Sequence, residues 1–101
     1  MQQDLQAFES LWSSLRSRYE GTNITKTIAK LLHMYQPEDG IDAYERLLKT
    51  ISMLLEDFDS NGLRTLVSMV PSPKNVSDDV IKDVFHKSTG FTRIDAPVFN
   101  Q

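Results

Sequence analysis

Large apolar residues recur every three or four positions through most of this chain, and glycine and proline cut the runs at definite places. That period is the helical 3.6 and not the 2 of a strand, and no stretch alternates long enough for a sheet. Met1, Leu5, Phe8, Trp12, Leu15 and Tyr19 make one seam, with Leu11 on its flank and Gly21 as its stop. Thr22 or Asn23 then caps a second helix whose face carries Ile24, Ile28, Leu31, Leu32 and Tyr35, until Pro37 to Gly40 breaks it. Ile41, Tyr44, Leu47, Leu48, Ile51, Leu54, Leu55 and Phe58 form the widest stripe, roughly 140° at 100° per residue, so the third helix is the expected centre of the core. Its outer face sets Asp42 before Arg46 and Glu45 before Lys49, two acid-first pairs at the spacing that supports a solvated helix.

Asp59-Ser-Asn-Gly62 reads as a turn, after which Leu63, Leu66, Val67 and Val70 give a short fourth helix ending before Pro71. Residues 71–76 form a stiff connector. Ser77 then reads as an N-cap, with Asp78 and Asp79 in the first turn and His86 and Lys87 in the last turn before Gly90, which places a fifth helix over 78–88. The last eleven residues lack helical period. The expected architecture is therefore all-α: a compact bundle of four to five helices over residues 1–90, followed by an extended C-terminal strap or tail over 91–101.

With 101 residues, 40% of them hydrophobic, the chain fits one folded domain. The absence of cysteine excludes disulfides, thiolate zinc sites, iron–sulfur clusters and a cysteine nucleophile. No basic and apolar leader opens the sequence, and no apolar run approaches the ~18 residues of a membrane span, so a cytoplasmic protein without membrane attachment is expected.

Three clusters invite a chemical reading. Asp57-Phe-Asp59-Ser-Asn61-Gly62 resembles the first half of an EF-hand calcium loop, with oxygen ligands at positions one, three and five and glycine at six. The pattern then fails, because position eight is Arg64 and position twelve, where a bidentate carboxylate closes the coordination sphere, is Ser68. Asp79, Asp83 and His86 share one side of the fifth helix, opposite Val80, Ile81, Val84 and Phe85, where complementing the helix dipole already explains them. Lys26, Lys30 and His33 form a small basic strip on the outer face of the second helix, the one feature suggesting nucleic acid. A net charge of -3 argues against that partner, since duplex binding draws on concentrated positive charge.

Phosphate loops, nucleophile elbows and zinc-protease motifs are missing, and both histidines fall on solvent faces, so neither an enzyme nor a cofactor is expected. The heptad on the first helix raises a coiled-coil homodimer, but a parallel pair would set Asp4 of one copy against Glu9 of the other. Packing on the third helix of the same chain, as a monomer, is the expectation. The function that remains is a non-enzymatic protein-interaction module, such as a small adaptor, inhibitor or regulatory subunit. A DNA-associated regulator using Lys26, Lys30 and His33 is the alternative, and a degenerate calcium-binding protein a distant third. The C-terminal segment carries Phe91, Ile94, Val98 and Phe99, too apolar for a purely solvated tail. These four are the candidate partner-binding residues unless the segment straps across its own bundle.

Overall fold

A computed structural model describes residues 2–15, 19 and 21–94. Among the described residues it contains five α-helices and no strand. They are α1 (Gln2–Leu15), α2 (Asn23–Met34), α3 (Ile41–Leu54), α4 (Ser60–Ser68) and α5 (Asp78–Thr89), with a 3-10 turn at Pro37–Asp39. The Cα radius of gyration is 12.7 Å, close to the ~13 Å of a folded 100-residue chain. Met1, Val98 and Phe99, named above from the sequence, lie outside the described residues.

The third helix sits at the centre as its wide stripe requires: α3 packs against α2, α4, α5 and the 3-10 turn. Tyr44, Leu48, Ile51 and the following Leu55 are fully buried there. Into the same core α2 sends Ile28 and Leu32, α4 sends Leu66 and Val67, and α5 sends Ile81 and Phe85. From α1, Phe8 and Trp12 enter it, but the neighbour of α1 is chiefly α4, where the sequence pointed to α3. An amphipathic stripe fixes which face is buried and leaves open which helix covers it.

The helix ends follow local chemistry. Gly21 and Gly40 have φ of +79° and +95°, backbone that an L side chain rarely adopts, so both turns need glycine. Thr22 occupies the N-cap of α2, yet its hydroxyl makes no cap bond; it donates to the Tyr19 carbonyl, as does the Thr25 hydroxyl. Asp59 caps α4 by accepting from the Gly62 amide at 2.8 Å. This corrects the reach of the third helix, expected to run to Phe58 and ending at Leu54. To cap α4, Asp59 must leave helical backbone (φ -56°, ψ 128°), so the chain unwinds through a turn closed by Phe58 N–H donating to the Leu55 carbonyl. Phe58 then leans on Trp12 and Tyr19, with ring centroids 6.4 and 5.8 Å away. A Cβ on Gly62 would come within 3.1 Å of that Phe58 ring, so glycine here permits close packing.

At α5 the sequence expectation holds in detail. Ser77 accepts from the Val80 amide, and Gly90 closes the helix in left-handed backbone, its N–H donating to the His86 carbonyl at 2.7 Å.

The connector 71–76 is sewn to the turn between α2 and α3. The Tyr35 hydroxyl donates to the Pro71 carbonyl at 2.7 Å, the Lys74 amide donates to the Pro37 carbonyl at 3.1 Å, and the Lys74 ammonium pairs with Glu38 at 3.0 Å.

Candidate functional site

Where α2 and α3 run side by side, their flanks leave a groove of about 400 Å³ that opens to solvent. Leu31 and Met34 line it from α2, and Ala43, Arg46, Leu47 and Thr50 from α3, with Tyr35 and Asp39 at the end nearest the 3-10 turn. Its surface is mainly apolar. Met34 is 66% exposed although it continues the apolar flank of α2, which leaves a large flexible side chain at the groove mouth. Of the two outer pairs expected on α3, Glu45 and Lys49 form theirs at 3.2 Å. Asp42 and Arg46 do not, so the Arg46 guanidinium beside the groove has no carboxylate partner among the described residues.

Below the groove lies a polar cluster that helical periodicity does not reveal. The Tyr35 and Tyr44 rings approach to 6.5 Å, and Arg93 from the C-terminal segment reaches Tyr44 together with Ser72. Burial pushes both tyrosine hydroxyls above their ordinary pKa, with Tyr44, Asp39 and Glu38 adding to the effect on Tyr35, while Arg93 and Ser72 offset part of it at Tyr44. Neither the Tyr44 hydroxyl nor the buried Nε of Arg93 completes a well-aligned hydrogen bond. On the surface nearby, the hydrogen bond from Lys74 holds the Glu38 carboxyl below its usual range.

An alkaline titration tests the burial of both tyrosines. Because each folded-state pKa is raised, the fold keeps protons that the unfolded chain releases. The associated stability is intact below about pH 10 and is lost as pH rises past it. The midpoint is expected to fall less steeply above about pH 10 in Tyr35→Phe and Tyr44→Phe than in the parent. At neutral pH the variants diverge. Tyr35→Phe removes the bond to Pro71 and costs about 0.5–1.5 kcal/mol, whereas Tyr44→Phe deletes a hydroxyl whose contacts with Arg93 and Ser72 are poorly aligned and costs less. Thermal denaturation across pH checks both.

Phe91 packs, partly buried, against the core, and its amide donates to the Thr89 hydroxyl. The Thr92 carbonyl accepts from Arg64 Nε at 3.0 Å, and the Ile94 amide donates to the Ser68 hydroxyl at 3.1 Å. Phe91 and Ile94 thus lie along α4 and α5, half-buried. Lys26, Lys30 and His33 are all exposed on α2, as expected. Asp59 is engaged in capping, while Asp83 pairs with Lys87 at 3.1 Å and His86 approaches the Phe91 carbonyl through Nδ1. Among the described residues, no three His, Asp or Glu side chains converge as metal ligands would, and no helix is long and apolar enough to cross a membrane.

Sequence reasoning assigned Leu31 and Leu47 to the core and passed over Met34; a methionine continuing an apolar flank at i+3 was the available signal. Compared with known proteins, the chain matches no family model, no curated protein and no solved structure.

Proposed function

We propose that this chain is a non-enzymatic protein-interaction module that engages its partner through the groove between α2 and α3. The exposed Met34 over an apolar floor carries the reading, because a large adaptable side chain left in water beside an apolar groove gains by being covered. The half-buried Phe91 and Ile94 are a less accessible surface for the same purpose.

A second reading, a DNA-associated regulator, draws on the exposure of Lys26, Lys30 and His33 along one helix. Affinity capture from the source organism with the full chain, with and without nuclease, decides between them. The module reading expects a protein that survives nuclease and is lost with Met34→Glu, a change at an exposed position that leaves the thermal midpoint unmoved. Capture that nuclease abolishes, and that Lys26→Glu with Lys30→Glu also abolishes, would transfer the function to nucleic acid.

A further inference from the structure

Asn61-Gly62 is the one Asn-Gly pair in the sequence, and it falls in the first turn of α4. Such a pair carries its own reactants: the backbone nitrogen of the glycine can close on the side-chain amide carbon of the asparagine. Glycine, lacking Cβ, neither blocks that approach nor restricts the backbone that makes it. Asn61 is exposed, so water reaches the amide and ammonia can leave. The attacking nitrogen is lightly held. Gly62 takes the third position of α4, where a backbone N–H has no carbonyl partner within the helix, and its hydrogen bond goes to the exposed Asp59 carboxylate at 2.8 Å. Deeper in a helix the carbonyl ladder of whole turns must part before such a nitrogen can swing; here one side-chain bond holds it.

We propose that Asn61 is a site of spontaneous covalent modification, deamidation through a succinimide, and that the Asp59 cap sets its rate in the folded protein. In the first step the Gly62 nitrogen bonds to Asn61 Cγ and the Cγ–Nδ2 bond breaks. Ammonia departs with the proton that the Gly62 nitrogen gives up through solvent. Water then opens the ring. Hydrolysis at Cγ yields aspartate, whereas hydrolysis at the backbone carbonyl carbon of residue 61 yields isoaspartate, with the main chain rerouted through the side chain. Both products add a negative charge at the favourable end of the helix dipole. Only isoaspartate lengthens the backbone, and it does so where the Phe58 ring lies close enough to Gly62 that an added Cβ would meet it at 3.1 Å. Asn75 provides the contrast: it is exposed and outside any helix, with φ of +63°, but the branched Cβ of Val76 crowds the same attack.

The test ages the full chain at neutral pH and physiological temperature and follows residues 61 and 75 by peptide mass spectrometry, with isoaspartate counted by enzymatic methylation. Modification is expected at Asn61 ahead of Asn75, and more slowly in the folded chain than in guanidinium chloride. Asp59→Ala is expected to speed the folded chain about fivefold, the rise in opened first turn that loss of a typical cap produces. Asp59→Ser keeps a capping oxygen and is expected to age close to the parent. In guanidinium chloride all three chains are expected to age alike, because the cap exists only in the fold. An Asn61 that stays intact in both parent and Asp59→Ala, or an Asn75 that is modified first, would overturn the proposal. So would an Asp59→Ala chain that ages more slowly, since the carboxylate would then be acting as a base on the Gly62 N–H, or an Asp59→Ser chain as fast as Asp59→Ala. Should a melt show that Asp59→Ala does not fold, the parent decides by itself: equal rates folded and denatured would mean that the cap protects nothing.

Discussion

Phe85→Ala is expected to lower the thermal midpoint by about 15 °C or more. The ring is fully buried on α5 and faces α3 across the most extensive helix–helix interface among the described residues. Truncating such a ring removes its transfer free energy and leaves a cavity, together about 3–5 kcal/mol, and each kcal/mol moves the midpoint of a domain this size by about 4–8 °C. With total stabilities of about 5–15 kcal/mol usual for single domains, the variant stands close to unfolding at ordinary temperature. Lys82→Ala, exposed on the same helix, controls for helix propensity and is expected to stay within about 0.5 kcal/mol of the parent. Circular dichroism melts of the three chains check the result, and a shift of only a few degrees for Phe85→Ala would remove α5 from the core.

Ending the chain at Gly90 is expected to cost about 5–10 °C. The cut takes away the half-buried Phe91 ring and the bonds from Arg64 to Thr92 and from Ile94 to Ser68. It also removes Arg93 from beside Tyr44. The net worth of a hydrogen bond, about 0.5–1.5 kcal/mol, is measured with ordering costs included, so losing two of them sets a net loss on the order of 1–2 kcal/mol. Ser68→Ala in the full-length chain isolates one tie and is expected to lose about 1 kcal/mol, since Ser68 is only 3% exposed and the Ile94 amide is its partner. An unchanged midpoint after the cut would show that the segment contributes nothing to the fold and would return Phe91 and Ile94 to the list of residues free for a partner.

Local chemistry was legible in the sequence wherever one residue decides the outcome. Ser77, the two first-turn aspartates, His86, Lys87 and Gly90 mark α5 from cap to cap, and the stripe of α3 announces its central place. What periodicity cannot weigh is competition between neighbouring elements. Leu55 and Phe58 continue the apolar rhythm of α3, but Asp59 needs extended backbone to cap α4, and the cap prevails. Pairing follows the same rule: Asp42–Arg46 and Glu45–Lys49 have identical spacing, yet only the second closes into an ion pair. The groove was hidden because it belongs to the flanks of two helices at once. Arg93 was hidden because a segment without period gives no clue to which side chain it meets.

The stitching of residues 71–76 to the turn at Pro37–Asp39 bears on how the protein is cut by proteases. A helix-free stretch with an exposed lysine, Lys74, is where tryptic nicking ordinarily begins. Here the amide of that lysine is bonded to Pro37, its ammonium is held by Glu38, and the strand of chain leading to it is anchored by Tyr35. Cleavage must wait for these ties to part together, an opening smaller than global unfolding and larger than loop fraying. When reclosing outruns the protease, the nicking rate reports the equilibrium population of that opened form. Proteolysis at this one bond therefore becomes a meter for the cohesion between the two halves of the chain.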